Sequence, residues 1–159
     1  MSFVGKSEKQ TGIEIDRAGG GFYPSLSTGE FRNGYEVKTN ISDEEIESKI
    51  KRSLMFVMEA LLDWAVTQKN DGITKLEEVP YDALLQLGDD SPHTTNFKSA
   101  VYNHAHALIL ENKFNYDLTR KAGEDKGEKI RPQIAEAYRN SIEAIRMIRG
   151  ETKVKASIV

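Results

Sequence analysis

Between residues 46 and 65 the apolar side chains fall at Ile46, Ile50, Leu54, Val57, Met58, Leu61 and Ala65. Intervals of three and four put them on one face of a helix. Ser42-Asp43-Glu44-Glu45 stands just ahead as a capping box, in which the Ser42 hydroxyl accepts from the Glu45 amide and the Glu45 carboxylate reaches back. The three acids also suit the positive end of the helix dipole. Asn70-Asp71-Gly72 stops the run, so the spacing predicts a helix over 42–69. A weaker box, Thr74-Lys75-Leu76-Glu77, opens only a turn before Pro80, and Tyr81–Leu87 predicts a short helix ended by Gly88. Asp89-Asp90-Ser91-Pro92 is turn chemistry. A further helix is predicted from Thr95 to about Lys113, with Phe97, Val101, His104, Ala105 and Leu108 on one face. Its alanines at 100, 105 and 107 allow close helix–helix approach. In the last helix Ile134, Ala137, Tyr138, Ser141, Ile145 and Ile148 face inward, and Gly150 ends it. Pro132 fits best as an early helical residue, with a kinked helix from near Glu124 as the alternative.

Both ends of the chain depart from this pattern. Residues 1–40 show no sustained period and are punctuated by Gly, Ser, Thr and Asn, which predicts an arm with one short extended piece at Tyr35–Lys38. Gly19-Gly20-Gly21 reads as its hinge. Phe22, Tyr23, Pro24, Phe31, Arg32 and Tyr35 are its candidate contacts, buried against the bundle or a neighbouring subunit. After Gly150, Lys153, Val154, Lys155 and Ala156 alternate polar with apolar as a strand does. A lone strand in a helical chain needs a partner. The expected fold is all-α: a small bundle of three to four helices over 41–150, an extended arm over 1–40 and a strand-like tail over 151–159.

Composition sharpens this picture. A chain of 159 residues is about one domain. With 38% apolar and 30% charged residues it is lean in core-forming side chains, which suggests that part of it packs elsewhere. No apolar run approaches the roughly 18 residues of a membrane span, and MSFVGKSEKQ has no apolar signal region. There is no cysteine, hence no disulfide framework and no thiolate zinc site, which fits an intracellular origin. The net charge of −3 hides an asymmetry: residues 1–119 hold 12 basic against 19 acidic side chains, residues 120–159 hold 10 against 6. The basic C-terminal region is either a solvated helix face or a surface that meets an acidic partner or DNA.

Catalytic chemistry finds no foothold. After Gly21 come Phe-Tyr-Pro, with neither the Gly-Lys-Ser/Thr of a Walker loop nor the spacing of a dinucleotide fingerprint. On a helix His104 and His106 differ by about 200°, so they cannot chelate one ion. His104 reads as a satisfied, half-buried histidine and His106 as a surface one. Asp82, Asp89 and Asp90 lack the spacing of a calcium loop and read as turn formers. No serine sits in a Gly-x-Ser-x-Gly elbow, and the carboxylates fall on polar faces or caps. No enzyme activity, metal or cofactor is expected.

The order of the segments is familiar. Phe22-Tyr23-Pro24 precedes Phe31-Arg32 and Tyr35, and a helix follows Ile-Ser-Asp-Glu-Glu. Gly-Ile-Thr-Lys-Leu-Glu-Glu-Val comes next, followed by the helix of Ala100-Val101-Tyr102 to Leu110. Ile-Glu-Ala-Ile-Arg-Met-Ile-Arg-Gly and a terminal Val-Lys-Ala-Ser-Ile-Val complete the order. Taken together, residues 20 to 159 resemble the head completion proteins of tailed phages, the L-protein family of temperate contractile-tailed phages. Tyr23 stands where a tryptophan is common, and residues 1–18 have no counterpart. The resemblance implies a virion protein at the head–tail interface, the neck, assembled from the host cytoplasm. It implies a helical adaptor without catalytic activity that rings the underside of the portal protein, in twelve copies matching portal symmetry. Such a ring closes the DNA-filled head, helps retain the genome and presents a platform to a tail-side neck or tail terminator protein. Packaged double-stranded DNA would pass through without sequence-specific binding, and acidic walls suit that passage because phosphate affinity comes mainly from Lys and Arg.

Within that frame the tail, Thr152, Lys153, Val154, Lys155, Ala156, Ser157, Ile158 and Val159, is the expected portal-docking element, an edge that adds to a sheet elsewhere. Its lysines would keep free strands apart. The competing reading is a small helical nucleic-acid-binding regulator using residues 120–159. Against it, the basic residues there are interleaved with Glu124, Asp125, Glu128, Glu136 and Glu143. A hydrolase would need a buried carboxylate pair or a metal cluster, and the sequence offers neither.

Overall fold

The structure is a computed structural model that describes residues 12–37, 40–119 and 124–151. A two-residue pair of strands comes first, β1 (Glu14–Ile15) and β2 (Leu26–Ser27), antiparallel with Glu14 opposite Ser27 and Ile15 opposite Leu26. Among the described residues five helices follow: α1 (Thr28–Gly34), α2 (Asp43–Ala60), α3 (Leu62–Asn70), α4 (Pro92–Thr119) and α5 (Glu124–Ile148). The protein is mostly helical, a small all-α bundle with one minimal sheet. Among the described residues no helix is long and apolar enough to cross a membrane.

The capping box before α2 is formed on its Ser42 side: the Glu45 amide donates to Ser42 Oγ at 3.1 Å and the Ile46 amide to the Ser42 carbonyl. Ile46, Ile50, Leu54 and Val57 are buried, as their spacing requires. The helix predicted over 42–69 is divided at Leu61 (φ −98°, ψ 2°) into α2 and α3. The Leu61 amide still reaches the Val57 carbonyl at 3.0 Å, and the Ala65 amide reaches that of Leu61 at 2.8 Å. The break is therefore slight.

Helix α4 begins earlier than predicted. Ser91, expected in a turn, is its cap: the Thr94 amide donates to Ser91 Oγ at 3.1 Å. Pro92 follows in the first helical position, where its missing N–H is not needed. The single apolar face expected of α4 is also an underestimate. Phe97, Ala100, Val101, Tyr102, Ala105, Ala107, Ile109 and Leu110 are all buried, around most of the helix circumference. A helix apolar on all sides is one with neighbours on all sides. On α2, Ser53 Oγ meets His104 Nδ1 at 2.8 Å. On α5, Ser141 Oγ donates to the Ala100 carbonyl at 2.7 Å, while Ala137 and Ala144 keep that contact close. On the N-terminal side, the Tyr102 hydroxyl accepts from the Ser27 amide at 3.1 Å and donates to Glu30 Oε1 at 2.6 Å. Arg131 lies over the Phe114 ring, so later residues of α5 meet earlier ones of α4 and the two run antiparallel.

Pro132 lies inside α5, which starts at Glu124, so the alternative start is the one realised. The short helix predicted over Tyr81–Leu87 is reduced to one single-turn 3-10 piece, Ala83–Leu85, and the weaker box before Pro80 leads into another, Leu76–Glu78. Leu84, Leu85 and Leu87 are exposed, and an apolar turn without a packing partner has little to hold it as a longer helix.

The largest difference from the sequence reading concerns residues 12–37, expected as part of an extended arm. They lie on the bundle and contain α1, whose start is fixed by Ser27 Oγ accepting from the Glu30 amide at 3.0 Å. At the extended piece expected over Tyr35–Lys38, Tyr35 has extended backbone (φ −134°, ψ 139°) and residues 35–37 form no strand; Lys38 lies outside the described residues. Ile15, Phe22, Tyr23, Leu26 and Phe31 belong to one core with α2, α3, α4 and α5.

Candidate functional site

The glycine triplet is a turn. Gly19, Gly20 and Gly21 have φ of 66°, 67° and 92°, a left-handed run that side chains disfavour. The Tyr23 amide donates to the Ala18 carbonyl at 3.1 Å across it. At Gly19 a Cβ would lie 2.8 Å from the Tyr23 ring, so the missing side chain is the space the ring occupies. Arg17 clamps the turn: Nε donates to the Gly21 carbonyl at 2.9 Å, and Nη2 reaches the Phe22 carbonyl and the Glu77 carboxylate. The hinge expected here is thereby corrected, because the positive φ angles serve a fixed turn.

The aromatic residues it leads to face their own chain. Tyr23 stacks on Phe97 with ring centroids 4.7 Å apart, and Phe22 meets Tyr23 edge-on at 4.9 Å and Trp64 at 6.3 Å. Phe31 stacks on Tyr35 at 5.2 Å and meets Tyr102 at 5.8 Å. Pro24 is buried, while Arg32 and Tyr35 are half-buried. Arg32 Nε donates to Asp43 Oδ1 at 2.8 Å and its Nη2 to the Ile41 carbonyl, tying α1 to the start of α2. The Phe22, Tyr23, Pro24 and Phe31 side chains are thus committed within the chain. Of the two burial surfaces expected for them, the structure has the bundle. Burial pushes the Tyr23 phenol up to about 12, and its hydroxyl has no hydrogen-bond partner among the described residues.

The histidines point apart, as the helical angle requires. His104 lies between Ser53, the stacked Phe56 ring at 4.4 Å and Tyr138. His106, expected on the surface, is half-buried beside Tyr35 at 5.5 Å. His93 sits between Trp64 and Tyr81. No group of three or more potential metal ligands comes together among the described residues. Burial is the main cause lowering the pKa of both His104 and His106; Glu111 opposes it at His104, where Arg52 adds to it, and Glu36 opposes it at His106. Unfolded, each titrates near 6.5. Above that pH both states are neutral at these positions and stability is unaffected. As pH falls below about 6.5, the unfolded chain binds protons that the folded chain refuses. Stability is therefore expected to fall with acidification until the lowered folded-state values are reached. Urea midpoints measured from pH 7.5 downward check this, and His104→Gln should make the slope below about 6.5 shallower.

A groove of about 690 Å³ lies beside the C-terminal half of α4, lined among others by Glu36, Val37, Ile41, His106, Leu110 and Tyr116. Its mixed lining sets up no acid–base pair. The surface is more informative. Leu84, Leu85 and Leu87 are exposed on one loop, and Ile142 and Met147 on α5. At the end of α5, Gly150 (φ 78°) and the Glu151 amide, which donates to the Arg146 carbonyl at 2.8 Å, close the helix with a left-handed cap. Residues Thr152–Val159, the expected docking tail, lie outside the described residues.

Sequence reasoning missed α1 and the leucine loop. Ser27-Thr28-Gly29-Glu30 is a capping-box pattern and marks the start of α1. No periodicity betrays the exposed leucines.

A family model described as phage head completion protein (GPL) matches residues 18–159. No curated protein and no solved structure matches the chain.

Proposed function

Because the chain belongs to the phage head completion protein family, a family of structural, virion-associated head proteins, we propose that it acts as the adaptor ring beneath the portal. In this reading twelve copies assemble on the portal of a DNA-filled head, close it, help retain the genome and offer the platform to which a tail-side protein attaches. The neck of the virion is its place, and packaged duplex passes through the ring without sequence-specific contacts. The match over residues 18–159 is the observation that carries the reading. It spans the N-terminal segment, the bundle and the tail together.

Two further observations are consistent with it. The acidic balance of residues 1–119 suits a wall along which DNA slides. Exposed apolar side chains on the leucine loop and α5 give the folded chain surfaces for protein contacts. The free protein is expected to be helical and monomeric or weakly associated, with ring formation driven by the portal.

The test is to mix purified protein with portal-containing, DNA-filled heads that lack it and to image the vertex. A ring at the portal, with DNA retained in the treated heads, is the expected outcome. Tight, salt-sensitive binding to free duplex with no ring at the vertex would instead favour the regulator reading built on residues 120–159.

A further inference from the structure

We propose that the loop of residues 82–90 of one copy seats on the outer face of α5 of a second copy, a head-to-tail contact between two different surfaces of the same chain. The inference rests on the adaptor-ring reading and names the surfaces that would build the ring.

Every residue from 82 to 90 is exposed, and within this stretch Leu84, Leu85 and Leu87 are 91%, 61% and 67% exposed. The loop is nonetheless a fixed shape. Asp82 Oδ1 accepts from the Leu84 amide at 2.9 Å, and the Asp82 carbonyl accepts from the Leu85 amide at the same distance. Gln86 Nε2 donates to the Gly88 carbonyl at 2.9 Å, and Leu87 and Asp90 form a bridge across the turn. Three leucines held out to solvent by an ordered backbone form a small apolar knob that needs little reorganisation before contact. Its border is acidic: Asp82, Asp89 and Asp90 flank the leucines, and no Lys or Arg occurs from residue 76 to 97.

Helix α5 presents the complement. Arg139, Ile142, Arg146 and Arg149 recur at intervals of three and four on one face, and all four are exposed; Glu136 and Glu143 lie to one side of it. Ile142 set among three arginines faces three leucines set among three aspartates. Both patches are open in the same folded chain, so neither covers the other from within. Pairing like with like is disfavoured, since it would bring Asp89 and Asp90 against their own copies, or arginine against arginine. A contact between two different patches propagates from copy to copy and closes into a ring when its rotation permits.

The chain has no cysteine, so introduced thiols report unambiguously. The double variant Leu85→Cys with Ile142→Cys is produced in place of the wild-type protein in the phage that encodes it. Closed particles are then oxidised and run on a denaturing, non-reducing gel. A ladder of dimers, trimers and higher species is expected from the double variant, and monomer alone from either single variant. In parallel, Asp89→Arg with Asp90→Arg is expected to lower the yield of closed particles by about tenfold or more, given the cost of facing like charges. Adding Arg139→Glu and Arg146→Glu should restore it to within about threefold of wild type, because the pairing is re-formed with its signs exchanged. Particles that contain the double-cysteine protein but yield no ladder overturn the contact and leave the proposed function standing. Dimers from a single-cysteine variant overturn it in favour of a symmetric contact, and failure of the second charge reversal to restore yield overturns the pairing with α5. Absence of the wild-type protein from closed particles would overturn the adaptor reading and this contact with it.

Discussion

Replacing Phe22 and Tyr23 together by Ala is expected to unfold the free protein. Both rings are almost fully buried, and they connect three parts of the fold. Tyr23 stacks on Phe97 of α4 and Phe22 meets Trp64 of α3, so the rings join the N-terminal segment to both helices. Truncating a large aromatic residue in a core costs about 3–5 kcal/mol, through lost transfer energy and the cavity left behind. The rings touch each other at 4.9 Å, so the two losses will not simply add. Even so, the combined loss approaches the roughly 5–15 kcal/mol that holds a domain of ordinary stability together. Far-UV circular dichroism and urea titration check it. Helical content and midpoint close to wild type would show instead that the segment detaches from the bundle without harm.

Ending the chain at Glu151 is expected to have the opposite profile, with little change in folding and a complete loss of attachment. The Glu151 amide caps α5 through the Arg146 carbonyl and Glu151 pairs with Arg149 at 3.5 Å, so a truncation that retains Glu151 leaves the helix end intact. We propose that the missing residues, Thr152–Val159, dock on the portal by adding a strand to an exposed sheet edge. Extended, they reach roughly 26–29 Å, enough to cross a subunit boundary. The melting temperature of the truncated protein should match that of the full chain, while pull-down with portal-containing heads fails and those heads leak DNA. Normal attachment would move the docking surface onto the helices.

What could be read from the sequence depended on whether burial left a periodic trace. Helix α2 was legible because it has one buried face and a strong cap, so Ser42, Ile46, Ile50 and Val57 announce it. Helix α4 was legible in existence but not in role: with neighbours on several sides its apolar positions fill most of the circumference, and a single face is the wrong template for Ala107 or Ile109. The N-terminal segment leaves no such trace because its buried residues, Phe22, Tyr23, Leu26 and Phe31, sit in a turn, a two-residue strand and a seven-residue helix. None of these is long enough to establish a period. The start of α1 was nevertheless written in Ser27 and Glu30. The pairing proposed for the leucine loop was beyond reach, since nothing in a linear pattern distinguishes an exposed leucine from a buried one.

The sequence distance across which the N-terminal segment meets α4 has a consequence for synthesis. Glu30 waits for Lys98, 68 positions later; Ser27 waits for Tyr102, 75 later; and Tyr35 waits for Asn103, 68 later. At about 5–20 residues per second, several seconds of translation separate the emergence of Phe22, Tyr23 and Phe31 from that of the helix that covers them. During that interval the core around these rings is incomplete. A ribosome that stalls before Pro92 therefore holds a product in which Tyr23 and Phe31 lack the α4 rings, Phe97 and Tyr102, that they pack against.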